Sequence, residues 1–317
     1  MNRPVLVGDI GGTNARFAVA LADAPAPRLE AVEAFRADRY PTLIEAAADY
    51  LGRTDIRPRR AILAVAGPVV DGAIELTNSP WRVAEADLRD LGLEGRLIND
   101  FEAQAWAAPA LGRGDLHHLG GPTEPPTAGT LAVLGPGTGF GVSALARGPA
   151  GQVALATEGG HAAFAPGDET ELEISRILGR RYGRVSLERL LSGSGLVNIH
   201  RALAEMSGRF PATDDPAEIT ARALAGEDPW RGDLARFCAI LGAAAGDIAL
   251  TLGARGGVYI AGGIAPRILQ FLDASPFRER FEAKGRFVDY MRAIPTWVVT
   301  HPHAALLGAA RRGFAVA

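Results

Sequence analysis

The chain has 317 residues, of which 48% are hydrophobic and 22% charged, with a formal net charge of −3. That composition excludes a largely disordered protein, and the length suits two packed domains. The slightly negative balance offers no basic face, so no nucleic-acid partner is expected.

In chain order, Met1-Asn2-Arg3-Pro4 leads straight into a strand pattern ending at Asp9, so no signal peptide is expected. Residues 4–22 read as a hairpin of two apolar runs around Gly11-Gly12. Arg60–Ala66 and Ala73–Thr77 read as short strands set apart by Gly67-Pro68 and Asp71-Gly72, with Asn78 as a turn residue. Arg96–Ile98 reads as a strand feeding a helix over Phe101–Leu111. Gly112–Gly129, with Pro122 and Pro125-Pro126, shows little periodicity and reads as a linker. Strands are predicted at Thr130–Leu134, Phe140–Ala146 and Gln152–Ala156.

From Glu169 the spacing turns helical, over 169–182, 194–207, 216–225 and 230–254. The longest apolar stretch, Phe237–Gly246, is stopped by Asp247 and reads as too short and broken to span a membrane. Cys238 within it has no intrachain partner and reads as a core residue, which fits a reducing cytoplasm. No Cys/His cluster has zinc spacing. A strand at Val258–Ala261, a turn at Gly262-Gly263, a helix from about Pro266, a strand at Trp297–Val299 and a helix at His303–Phe314 close the chain. Strands followed by helices, twice over, predict an α/β protein with a duplicated core.

Two glycine turns between apolar runs carry the chemistry. Gly8-Asp9-Ile10-Gly11-Gly12-Thr13, shifted by 125 positions, puts Gly12-Thr13 on Gly137-Thr138. A hairpin tip without Cβ atoms can bring bare N–H groups against an anion, and two such tips suit the phosphates of a nucleotide. This predicts a phosphotransferase. Asp9 interrupts an apolar strand, and a buried carboxylate needs a partner, for which a metal held near phosphates is suited. Neither turn is a Walker loop or a dinucleotide fingerprint, since Gly-Lys-Ser/Thr is missing and Phe140 and Val142 fall on third-glycine positions.

Asn99-Asp100 ends a strand and opens a helix. Asn99 reads either as a plain N-cap with Glu102 as its box partner or, with Asp100, as part of a site where an acceptor hydroxyl meets its base. Glu158-Gly159-Gly160-His161 and Glu188 are candidate polyol ligands, although Glu188 could equally be a helix-face charge paired with Arg184 or Arg189. Gly262-Gly263 is either a plain strand–helix turn or a flat surface for a purine ring.

Taken together, these residues resemble the bacterial glucokinase family of the ATP-dependent type that lacks a zinc motif. The likeness runs nearly end to end through Leu6–Phe17, Ile98–Phe101, Gly135–Val142, Glu158–His161, Ser186–Gly193, Gly195–Asn198 and Gly256–Pro266. Ser194 departs from it, where proline is expected. The resemblance implies the actin/hexokinase-like fold, two ribonuclease-H-like α/β halves with the active-site cleft between them. It implies a small domain over 1–110 plus 301–317 and a large one over 111–300. It also implies ATP, Mg²⁺, glucose as substrate and a homodimer without membrane attachment. Carried over, Asp100 is the base for the sugar 6-hydroxyl, while Asn99, Glu158, His161 and Glu188 hold the other hydroxyls. Gly8, Ile10, Gly11, Gly12, Thr13, Gly137 and Thr138 line the phosphates, Gly262 and Gly263 the adenosine, and Asp9 holds Mg²⁺ through water. The alternatives are a kinase of another hexose or of an N-acetylated amino sugar, a sugar-sensing protein without catalysis, and polyphosphate as donor.

Overall fold

The computed structural model describes residues 3–23, 26–76, 81–124 and 126–315. Asn78, with Thr77 at the end of an expected strand, lies outside the described residues. The chain groups into two compact units, Met1–Gly112 with Ala154–Ala156 and His301–Ala317, and Arg113–Val153 with Thr157–Thr300.

In the first unit β1 (Val5–Ile10) and β2 (Asn14–Leu21) form the hairpin expected from the sequence. β3 (Arg28–Arg36) pairs antiparallel with β2, and β4 (Arg60–Val65) pairs parallel with β1. A short ribbon of β5 (Ala73–Glu75) and β6 (Arg82–Ala84) precedes β7 (Glu94–Asn99), which runs parallel to β4. The sheet order is β3-β2-β1-β4-β7. β1 is covered on both faces, so Val5, Leu6 and Val7 are apolar in succession rather than in alternation. Leu6, Ile10 and Phe17 pack with Phe35, Tyr50, Trp81 and Leu88 on one side. On the other, Val5, Val7, Ala18 and Ile62 pack against the helix Ala304–Ala315. That helix meets the helix Asp100–Ala107 so closely that a Cβ at Gly308 would lie 1.7 Å from the Ala103 carbonyl oxygen.

The sheet of the second unit is built from β8 (Leu116–Gly120), β9 (Leu131–Pro136), β10 (Phe140–Gly148), β11 (Gly151–Thr157, of which Ala154–Ala156 group with the first unit), β12 (Val258–Ile260) and β13 (Thr296–Val299). Their order is β11-β10-β9-β12-β13-β8. From β11 to β13 this repeats the first sheet strand for strand. The β10–β9, β9–β12 and β12–β13 pairings keep the directions of β2–β1, β1–β4 and β4–β7. The core is therefore duplicated. The expected linker over Gly112–Gly129 is corrected by β8, which pairs antiparallel with β13 at the sheet edge. Neither face of β8 is fully buried, so it carries no apolar period to read.

The helices Glu169–Tyr182, Gly193–Met206, Pro216–Leu224 and Trp230–Leu252 match the predicted spans to within two residues at each end. Their apolar faces join Leu134, Phe140, Phe277 and Phe281 in the larger core. The stretch Phe237–Gly246, expected to be too short to span a membrane, belongs to the 23-residue helix Trp230–Leu252, which by length and composition alone could cross one. It is instead the core helix of this unit, with 61% of its most apolar window buried. Cys238 on it is fully buried, and burial pushes its thiol up to about 12.

Candidate active site

In the first unit the hairpin register dictates what surrounds Asp9. The last β1–β2 pair is Ile10 with Ala15, and the Gly11 N–H closes the turn on the Asn14 carbonyl at 2.9 Å. The same register sets Arg16 opposite Asp9, its Nη1 3.4 Å from Oδ2. Burial raises the Asp9 carboxyl above its ordinary range, opposed by Arg16 and more weakly by His303. Burial also lowers the His303 imidazole, whose Nδ1 is buried with no hydrogen-bond partner among the described residues. Arg16 and His303 were not singled out from the sequence. Closing the hairpin at Gly11–Asn14 would have identified Arg16, but His303 arrives from the far end of the chain.

Gly8 and Ile10 serve this turn through main chain only. A Cβ on Gly8 would lie 2.7 Å from Leu63 Cδ2, and Ile10 is fully buried. Gly11 and Gly12 are half-buried and Thr13 is exposed.

At the carboxyl end of β7, Asn99 caps the helix beginning at Asp100. Its Oδ1 accepts from the N–H groups of Phe101 and Glu102 at 2.9 and 3.2 Å, and its Nδ2 donates to the Gly67 carbonyl at 3.1 Å. The Asn99 amide therefore keeps one N–H for anything else. Asp100 is half-buried beside it, with Oδ1 2.9 Å from the Phe101 nitrogen.

The second unit builds the second turn one residue tighter, with Pro136 paired to Phe140 and the Gly137 N–H closed on the Gly139 carbonyl at 2.8 Å. Thr138 at its tip is exposed. Alongside, the chain leaving β12 turns at Gly262, whose φ of +82 and Cβ direction, 2.4 Å from the Pro136 oxygen, both demand glycine. Gly137 and Gly263 have no such structural reason. A Cβ on Gly137 would come no nearer than 3.9 Å to Gly263 N, and one on Gly263 would meet nothing within 4 Å. They leave a bare strip of backbone beside the exposed Thr138.

Glu188 lies on the short turn Leu187–Arg189, where its Oε2 accepts from the Phe140 N–H at 3.0 Å. The surface ion pair with Arg184 or Arg189 does not form: Arg184 donates to the His161 carbonyl, and Arg189 stacks on Tyr182. Glu158 and His161 are both more than half exposed, with Nε2 and Oε2 3.9 Å apart. The turn between them rests on Phe140, since a Cβ on Gly160 would lie 1.8 Å from the Phe140 oxygen.

The first unit thus gathers Asp9, Gly11, Gly12, Thr13, Asn99 and Asp100 at the carboxyl ends of β1 and β7, which flank β4. The second gathers Glu188 and the Glu158–His161 turn at Phe140, beside the Gly137-Thr138 turn, with Gly262 and Gly263 along that turn's other side at Pro136 and Gly137. In both turns the first glycine's N–H is used inside the turn. The N–H groups of Gly12, Thr13 and Thr138 take no backbone partner among the described residues, so they are the donors each tip offers an anion. Among the described residues no group of three or more His, Cys, Asp or Glu could hold a metal. The single Asp9 carboxylate fits Mg²⁺, which keeps several waters and completes its shell with phosphate oxygens, and does not fit an all-protein cage.

A family model described as Glucokinase matches residues 6–313. The glucokinase of Caulobacter sp. (strain K31) is 52% identical over 308 residues, covering 96% of this chain and 93% of that one. A crystal structure of glucokinase from an Antarctic psychrotroph superposes with a TM-score of 0.91 at 37% identity, covering 98% and 99% of the two chains. A ROK family glucokinase from Streptomyces griseus, solved in complex with glucose and AMPPNP, shares the fold at 18% identity and TM-score 0.64, covering 97% and 98%. With the duplicated sheets, these matches assign the actin/hexokinase-like α/β fold, and the chain belongs to the glucokinase family.

Proposed function

We propose that this chain transfers the γ-phosphoryl group of ATP to the 6-hydroxyl of glucose, with Asp100 as general base. The observation that carries the reading is the division of labour at the end of β7. Asn99 caps the helix through the Phe101 and Glu102 N–H groups, and beside it the half-buried Asp100 brings a carboxylate to the carboxyl end of β7. Family membership and the AMPPNP and glucose complex of the Streptomyces griseus relative support ATP and glucose as substrates.

Phosphoryl transfer asks for position and electrostatics more than covalent chemistry. The Asp100 carboxylate orients the hydroxyl in line with the phosphorus and takes its proton late in the transfer. The open N–H groups of Gly12, Thr13 and Thr138 stabilise the charge that spreads over the phosphoryl oxygens. Glu158, His161, Glu188 and the remaining Asn99 N–H hold the other hydroxyls, and the backbone at Gly262-Gly263 receives the adenine. Asp9 holds Mg²⁺ through water, and the bound ion would neutralise phosphate charge. A homodimer and a cytoplasmic location belong to the same reading, the former checked by sedimentation of the purified chain.

The test is a coupled ADP-release assay with ATP against a hexose panel. Glucose is expected to give the highest kcat/KM. A faster mannose, fructose or N-acetylated amino sugar would reassign the substrate. Sugar binding without turnover would make the chain a sensor, and activity with polyphosphate but not ATP would overturn the donor.

A further inference from the structure

Three pieces of the second unit converge on Phe140. Its N–H is held by Glu188 Oε2 at 3.0 Å, its carbonyl lies under the Gly159–His161 turn, and it closes the turn through Gly137–Gly139. The segment carrying Glu188 also grips that turn directly, since the Gly193 N–H donates to the Gly137 carbonyl at 2.9 Å. Ser192 ties the two ends of the segment together, donating to the Glu188 carbonyl at 2.8 Å and accepting from the Gly195 N–H at 2.9 Å. The second carboxylate oxygen, Oε1, has no partner among the described residues.

Gly139 reports how tight this arrangement is. A Cβ there would lie 2.5 Å from Glu188 Oε2 and 3.3 Å from its Cδ, and beyond its chain neighbours it would meet no other group of the described residues within 4 Å. Its φ lies outside the left-handed region, so the backbone accepts alanine. Among the described residues beyond its chain neighbours, the Glu188 carboxylate is the group that a side chain at 139 would displace.

We propose that Glu188 is a positioning residue that couples the two substrates: Oε2 fixes the phosphate turn through Phe140 N–H while Oε1 takes a sugar hydroxyl. The proposal rests on the reading of Glu188 as a sugar contact. A sugar bound to Oε1 holds the carboxylate in the one place where Oε2 orders the turn, and an ordered turn holds the carboxylate ready for sugar. Each ligand therefore lowers the cost of binding the other, and by linkage the two effects are equal.

Glucose is titrated calorimetrically with and without Mg²⁺-AMPPNP, and the nucleotide with and without glucose, on wild type, Gly139→Ala, Glu188→Ala and Glu188→Gln. Gly139 has no side chain to offer a sugar, yet Gly139→Ala is expected to weaken nucleotide-free glucose binding roughly tenfold, the worth of a displaced charge-assisted hydrogen bond. Glu188→Ala is expected to weaken nucleotide binding by a similar factor in the absence of sugar. Glu188→Gln restores it, because the amide oxygen still accepts from Phe140 N–H. Glucose binding within twofold of wild type in Gly139→Ala, alongside its loss in Glu188→Ala, overturns the coupling and leaves the sugar contact standing. Unchanged glucose binding in Glu188→Ala overturns the sugar contact itself, and the coupling with it. Equal nucleotide losses in the Gln and Ala variants remove the hydrogen-bond role; these two variants decide alone should Gly139→Ala fail to fold.

Discussion

The Asn99 amide donates to the Gly67 carbonyl at 3.1 Å, pinning the turn after β4 to the end of β7. With its oxygen on two helix N–H groups, Asn99 holds the chain rigidly at the point where Asp100 emerges. A base must sit within hydrogen-bond reach of the hydroxyl it serves, and for the base proposed at Asp100 this brace would supply that precision from a neighbour.

Asp100→Asn is therefore expected to fold normally and to bind glucose nearly as well as wild type. Its turnover should fall by roughly 10²–10⁴-fold, since the amide keeps the shape but cannot take the proton. Steady-state kcat with calorimetric glucose affinity checks both halves. A variant keeping more than a tenth of wild-type turnover would show that Asp100 is not the base.

The two kinds of glycine should separate cleanly. Gly137→Val puts its Cβ no nearer than 3.9 Å to Gly263 N, so its melting temperature should match wild type while nucleotide affinity falls steeply and glucose affinity changes little. Gly135→Ala places its Cβ 2.1 Å from the Ala261 oxygen and must force β9 from the chain leaving β12. Overpacking of that kind costs about 1–3 kcal/mol, so it should melt earlier. Thermal denaturation and nucleotide titration on both proteins check the contrast.

Asp9 should cost stability at neutral pH in the metal-free protein. Its carboxyl is raised by burial from the ordinary 3.8, so the stability it gives in the protonated form is fully present below that value. It is lost as the pH rises through the elevated value of the folded state. Asp9→Asn has no such loss, so its melting temperature minus that of wild type should grow from pH 3.5 to pH 7. Activity should fall at the same time. A difference that shrinks with rising pH would mean that the Arg16 pairing outweighs burial.

Sugar selectivity should follow Glu188. A site built to hydrogen-bond a hydroxyl leaves buried polar groups unpaired when an analogue lacks it, at roughly 1–3 kcal/mol each. Glucose should be preferred over mannose and 2-deoxyglucose, and Glu188→Gln should narrow that preference. Kinetic constants for the three sugars on both proteins check it, and unchanged ratios would move the sugar contacts elsewhere.

The glycine hairpins were legible because apolar runs around Gly11-Gly12 and Gly137-Gly139 leave the chain no other way to turn. The helices were legible because Leu234, Phe237, Leu241 and Ala245 face one core at helical spacing. Two of the four edge strands were not: β8 has neither face fully buried, and most of β3 is half-buried or exposed, so neither shows a period. Neither the Glu188–Phe140 bond nor the Asn99–Gly67 bond was legible. Each joins a side chain to a backbone group supplied by a distant element, and no local pattern records that. Glu188 was separable from a surface charge only by its partner, while Arg184 and Arg189, nearer in sequence, are engaged elsewhere.

The helix Ala304–Ala315 covers Val5, Val7, Ile62 and Ile98 of the first sheet, yet the whole second unit separates it from them in sequence. On the ribosome, the opening sheet must wait for it with one apolar face uncovered. At roughly 5–20 residues per second that wait lasts on the order of ten seconds or more. The first unit to be made is thus the last to be finished, and a nascent chain stalled before residue 304 would present that face to chaperones.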